Sequence, residues 1–296
     1  MSTGTDPLAP LAQLPGVPDA VAEVRKAVDR LYGHRVMRRR AAEVTSESAL
    51  RGARASAALA GADWPLEEVR RRSDFGADPE SRTVGAALRI AAEAGQLLSI
   101  WRHSPLQVLA RLHLLAVGDG DPAAGRPRRA GEDAEDLFPL ELRPVESVEA
   151  EVADGPLPAL PPAPGAEEVA ARLDQLSRLL VARAEGQGVG TPALVVASVV
   201  HGELLALRPF GTHNGVIARA AQRIVLIAEG LDPKSICPAE VGLAELGTAA
   251  YRRALAGYLA GTPEGMAAWI AHCGRALRLG TRESTAVCEA MQRGMV

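Results

Sequence analysis

The chain has 296 residues, 47% hydrophobic and 23% charged, with a formal net charge of -3, the balance of a soluble globular protein able to bury a substantial core. Its small negative charge gives no global reason to expect nucleic-acid binding. Aromatic residues make up only 3%, so the core must come from Ala, Leu and Val, which disfavours a β-sandwich and predicts an all-α protein.

From residue 20 to residue 59, Val21, Val24, Val28 and Leu31 lead a helical apolar period with Arg, Lys and Glu on the other faces. Gly61 followed by Pro65 marks a corner between helices, and residues 84–98 and 105–117 read as two more helices. The arginine runs at 38–40 and 70–72 lie beside acidic residues and read as solvated helix faces. Residues 1–80 therefore form a helical front section, and residues 81–296 a helical body with an insertion at 118–165. In that insertion Glu132, Asp133, Glu135 and Asp136 cluster, and Pro158, Pro161, Pro162 and Pro164 close the segment. Proline removes amide donors and like charges repel, so it reads as a long solvated loop, with a short β-hairpin flap at 137–152. Beyond it, Val169, Leu173, Leu176 and Leu180 form one apolar stripe. Thr191 reads as the cap, and Pro192 as the first position, of a nearly all-apolar helix to Leu207 that belongs at the bundle centre. Helices at 215–229, 243–260 and 265–279 complete the chain. Cys237, Cys273 and Cys288 form no CxxC pair, which suggests neither a disulfide framework nor a zinc knuckle and points to a cytoplasmic protein. No basic start leads into an apolar run, and no segment nears the ~20 apolar residues of a membrane span, so neither secretion nor membrane insertion is expected.

Between the two central helices lies Leu207-Arg208-Pro209-Phe210-Gly211-Thr212-His213-Asn214-Gly215-Val216-Ile217-Ala218-Arg219. A helix starting at Asn214-Gly215 presents unpaired amides and the positive end of its dipole, and Gly lets an anion approach, so a phosphate seat is expected here. The whole pattern resembles the active-site loop of the Fic family, His-Pro-Phe-x-(Asp/Glu)-Gly-Asn-Gly-(Arg/Lys)-x-x-Arg, with Pro209, Phe210, Asn214, Gly215 and Arg219 in register. Pro161-Pro162, the run at 197–201 and Tyr251, Leu255, Trp269 and Leu277 extend the likeness. Ser56-Ala57-Ala58-Leu59-Ala60-Gly61 resembles the family's inhibitory helix, Ser/Thr-x-x-x-Glu-Gly. The resemblance implies the mostly helical Fido fold. In an intact member it also implies transfer of AMP, or another phosphate-containing group, from a nucleotide such as ATP to a protein hydroxyl with the help of magnesium.

The departures bear on that activity. Arg208 stands where the resemblance places the general base, and a guanidinium cannot accept a proton at neutral pH, which forfeits roughly 10²- to 10⁴-fold in rate. Thr212 replaces the acidic magnesium ligand with a neutral hydroxyl. His213 replaces the first glycine of the loop and narrows the backbone angles available, and Val216 removes an arginine. Ala60 takes the place of the inhibitory glutamate that would pair with Arg219. His213 could replace the base only by pointing into the cleft from the far side of the Phe210 turn, and reads instead as a partly exposed loop histidine; His201 reads as a satisfied core histidine. No His, Cys, Asp or Glu cluster has metal-ligand spacing, so no metal site is expected. Arg208 leaves two readings open. With Arg219 and the Asn214-Gly215 amides it binds a phosphate-bearing ligand without turnover, or it pairs with a carboxylate and fills the old cleft. Arg208, Phe210, Thr212, His213, Asn214, Gly215 and Arg219 are thus the nucleotide- or anion-binding candidates. Ser56, Ala60 and Gly61 mark the altered inhibitory helix.

The expected protein is a catalytically inactive interaction or regulatory protein acting through a protein partner or as a homodimer. The alternative is a divergent transferase that still uses ATP and Mg. A DNA-binding role is not expected, since the last bundle helix leads into no winged-helix segment.

Overall fold

A chain poor in aromatics must bury many small apolar side chains at close helix contacts, and twelve α-helices with no strand are found among the described residues, 6–118, 120–146, 155–186 and 190–295 of a computed structural model. In chain order these are α1 (Val17–Tyr32), α2 (Met37–Leu59), α3 (Leu66–Arg71), α4 (Pro79–Glu93), α5 (Leu98–Trp101), α6 (Pro105–Val117), α7 (Ala166–Ala184), α8 (Ala193–Leu207), α9 (Asn214–Ala228), α10 (Ala239–Leu246), α11 (Thr248–Ala260) and α12 (Pro263–Gln292). No helix among them is long and apolar enough to cross a membrane.

The all-apolar α8 and its successor α9 pack on each other at the centre, and nearly every residue of both is buried. The stripe Val169, Leu173, Leu176 and Leu180 is the buried face of α7. Around the central pair, α12 packs on α1, α10 and α11, while α2 bridges α4 and α10. At the closest of these crossings, a Cβ added to Gly242 on α10 would overlap the backbone carbonyl of Ala276 on α12. Gly242→Ala is therefore expected to cost about 3 kcal/mol, read from a lowered thermal midpoint with unchanged helix content.

Several boundaries differ from the sequence reading. Gly33 ends α1, so the helical period read over residues 20–59 spans two helices, α1 and α2. An Asp78–Ser81 capping box starts α4 at Pro79, five residues earlier than its apolar period begins. Gly247 separates α10 from α11. The last helix runs on past Leu279 to Gln292, because Thr281 satisfies its buried hydroxyl on the Leu277 carbonyl and Val287, Cys288 and Met291 continue the buried face. Thr191 does not cap α8. Its hydroxyl donates to Asp6, which also pairs with Arg183 and so ties the front of the chain to the α7–α8 corner.

No hairpin forms in the described part of 137–152, residues 137–146; the rest of that stretch lies outside the described residues. Pro139 and Pro144 lack amide donors, and the neighbouring donors are taken up elsewhere. Leu142 N–H bonds Thr248 Oγ1 at 3.0 Å, and Val145 N–H bonds the Glu245 carbonyl at 2.9 Å. The three cysteines are buried free thiols.

Candidate functional site

The site is the turn between α8 and α9. The α8 helix stops at Arg208, whose backbone is left-handed (φ 43°, ψ 63°), and α9 is entered through His213, also left-handed (φ 62°). Non-glycine residues there carry a strain of order 1 kcal/mol, which the rest of the turn must offset. Asn214 does most of this. Its Oδ1 accepts from the Phe210 amide at 2.9 Å and its Nδ2 donates to the Phe210 carbonyl at 2.7 Å, so its side chain closes the loop rather than capping the helix. Phe210, 2% exposed, stacks on His113 with ring centroids 4.3 Å apart. Asn214 and Phe210 thus form the frame of the turn.

Arg208 donates from Nη2 to the Pro161 carbonyl at 2.7 Å, and its buried Nε has no partner. No carboxylate lies within ion-pair distance of it among the described residues, although Asp136 is near enough to act electrostatically. Burial and neighbouring Arg128 push its pKa down, but a guanidinium remains a cation here and cannot serve as a base. Of the two readings left open by the sequence, the carboxylate pair is absent, and the side chain closes the cleft on a carbonyl instead.

Thr212 is exposed and shares a 3.0 Å hydrogen bond with His213 Nδ1. Burial, with Arg89 and the neighbouring His113 ring disfavouring a further positive charge, pushes the His213 pKa down to about 4, so the ring is neutral at pH 7. Beneath the loop, Gly215 leaves room for the Arg219 guanidinium, which would lie 3.1 Å from a Cβ at that position. Arg219 is 2% exposed. It donates to Ser56 Oγ at 2.9 Å and to the Ser56 carbonyl at 2.8 Å, and its charge acts on the nearby Tyr251 hydroxyl. The helix that resembles the inhibitory one therefore does reach Arg219, but through neutral Ser56. Ala60 lies one turn on at the C-cap of α2, and Gly61 packs against Pro139. Val216 is buried beside the small residues of α2 and α4.

The residue that the sequence reading passed over is Glu135. Its Oε1 accepts the first amide of α9, Asn214 N–H, at 2.6 Å. Its own amide bonds the Gly211 carbonyl at 3.0 Å. Burial raises the carboxyl pKa, opposed by the backbone at the start of α9 and by the positive charge of Arg219. A carboxylate of the protein thus sits on the helix terminus where a phosphate was expected.

Arg128 fastens the same segment. It is 8% exposed; Nε donates to the Arg208 carbonyl at 2.7 Å, and the two Nη atoms to the carbonyls of Glu132, Pro164 and Leu207 at 2.9, 3.1 and 3.3 Å. Its amide bonds the Pro209 carbonyl at 2.8 Å. Its charge is placed on the exposed carbonyls at the end of α8, where the helix dipole favours a cation. The acidic stretch of the insertion, read as a solvated loop, instead lies across the α8–α9 turn. An Arg and a Glu within a loop carry no spacing signal that could have distinguished them from solvated charges.

His201 is a core histidine satisfied at only one nitrogen. Nε2 shares a 2.6 Å hydrogen bond with the Tyr251 hydroxyl, and buried Nδ1 has no partner. Among the described residues no group of three or more His, Cys, Asp or Glu side chains is arranged to hold a metal. The donor set beside the turn does not fit a nucleotide-bound magnesium: Thr212 offers a neutral hydroxyl tied to His213, and Glu135, the carboxylate on the helix terminus, is engaged by the Asn214 amide.

No protein-family model matches the sequence, and no curated protein matches it significantly. Its three-dimensional similarity is to Fic proteins. A Fic family protein from Desulfovibrio desulfuricans G20 superposes with a TM-score of 0.68 at 21% identity, over 92% of this chain and 75% of that one. Fic-1 from C. elegans gives 0.60 at 15% identity, over 93% and 73%. A Fic domain containing signaling protein from Bacteroides thetaiotaomicron VPI-5482 gives 0.61 at 12% identity, over 92% and 97%. The fold is thus the all-α Fic fold, as the loop and its flanking helices implied.

Proposed function

We propose that this chain is a catalytically silent Fic-fold protein that keeps the loop as a binding and regulatory frame and acts in the cytoplasm through a protein partner. The observation that carries this reading is Arg208: at the position of the general base stands a cation whose guanidinium is fixed on the Pro161 carbonyl. The occupied helix terminus and the neutral partners of Arg219 support it. A divergent transferase is the rival, favoured by one observation, the neutral His213 ring bonded to the exposed Thr212 hydroxyl. Incubation with α-labelled ATP, magnesium or manganese and cell lysate is expected to give no label transfer above a heat-denatured control. Reproducible transfer that disappears in His213→Ala or Arg219→Ala would replace this reading with the rival.

A further inference from the structure

The segment 126–136 touches the α8–α9 turn at three separated points. Its Arg128 side chain covers the last carbonyls of α8, and its backbone bonds Pro209 and Gly211 on either side of Phe210. Its Glu135 carboxylate ends on the first amide of α9, that of Asn214. The two helix ends that meet at the turn are therefore each met by the opposite charge from one strap, Arg128 on the negative end of α8 and Glu135 on the positive end of α9.

We propose that residues 126–136 are an autoinhibitory strap in which Glu135 stands in for a phosphate, so that the anion seat of α9 opens only when the strap is displaced. The Asn214 amide that holds Glu135 is one a helix terminus offers to any oxyanion, and buried Arg219 adds its charge from below. The carboxylate and an external oxyanion thus compete for the same donor. Closure is also opposed from within the segment. Glu135 gives up hydration to enter the seat, and Asp136 brings a second negative charge beside it, while Glu132 and Asp133 remain exposed. A contact that binds specifically but carries its own desolvation and repulsion costs is suited to opening. This inference builds on the silent, binding-frame reading above, and it specifies what holds the frame shut.

The test uses inorganic pyrophosphate as probe, titrated calorimetrically into the full chain, with tryptic cleavage after Arg129 as a measure of strap opening. Glu135→Ala is expected to bind pyrophosphate at least about tenfold more tightly than the wild type, in the range typical of coupled sites. It is also expected to be cleaved after Arg129 faster, and adding Arg219→Ala should remove the gained binding. Equal affinity in wild type and Glu135→Ala, or binding by neither, with unchanged helical circular dichroism, would overturn the proposal. Should Glu135→Ala fail to fold, Glu135→Gln keeps the side-chain shape without the charge, and an unchanged cleavage rate after Arg129 in that variant would overturn it equally. Label transfer by the wild type would end the catalytically silent reading but leave these binding and cleavage outcomes to stand or fall separately.

Discussion

Lowering the pH from 6.5 to about 4 is expected to remove several kcal/mol of folding stability. Burial holds four histidines towards the neutral form. It pushes His272 and His213 down to about 4, His201 well below its ordinary value, and His113 below its ordinary value as well. In the unfolded chain each takes up a proton near pH 6.5, whereas the native protein does not, so the unfolded state binds more protons across this window and stability falls with pH. For His272, 8% exposed among Tyr251 and Trp269, a shift of about 2.5 units corresponds to about 3 kcal/mol. Glu135 and Glu245 work in the opposite sense: burial raises their pKa, so the native state binds more protons than the unfolded chain and stability is regained as pH falls through their folded values. The net loss is therefore smaller than the four histidines alone would give. Urea unfolding followed by tryptophan fluorescence at pH 7, 6, 5 and 4.5 would measure it, and His272→Phe should flatten the profile by about one proton. A profile level from pH 7 to 4.5 would show that these rings titrate normally.

Arg128→Ala is expected to cost about 2 to 4 kcal/mol and to free the strap in the same step. The guanidinium serves four backbone carbonyls, including Leu207 and Arg208 at the exposed end of α8. Hydrogen bonds to a charged group are among the stronger ones, and the carbonyls left behind must either find water or stay unpaired. Water can reach them only if the strap lifts, so lost stability and faster tryptic cleavage after Arg129 should appear together. Arg128→Lys should restore little, since one ammonium cannot span the planar fork of contacts. Thermal unfolding within ~0.5 kcal/mol of wild type, the range of an ordinary surface substitution, would show that Arg128 is not the fastener. Because Arg128 is a positioning residue, hydrogen exchange at the Asn214 amide provides a second measurement: it should quicken in Arg128→Ala even where global stability is matched with urea.

The substitutions in the turn were legible as single letters. Arg208 cannot be a base in any environment, and Thr212 cannot supply a carboxylate. The same holds for the frame: Asn214 and Phe210 were recognisable from the pattern, although the structure shows that Asn214 acts by clasping Phe210 rather than by capping α9. Ser56 was recognisable as part of a helix that approaches the loop. That it alone receives Arg219 from that helix, with Ala60 a turn away, required the crossing of α2 over α9. Val216 read as a lost charge; packed against α2 and α4, it is also part of the core. Replacing it with arginine would cost packing as well as adding charge.

The sequence by itself determined the helices and the chemistry that the turn lacks, because helical period and side-chain identity are local properties. Even there, the boundaries it missed were set by polar contacts, as at Asp78 and Thr281, which no apolar period reports. Only the tertiary structure decided what occupies the turn. Glu135 is 79 residues from Asn214 and Arg128 is 80 from Arg208, and in the sequence both belong to a charged, proline-rich stretch with the composition of a solvated loop. Charge alone does not say where a side chain will rest. The choice was made by the exposed ends of α8 and α9, whose opposite dipoles meet at this turn and accept a cation and an anion from the same strap.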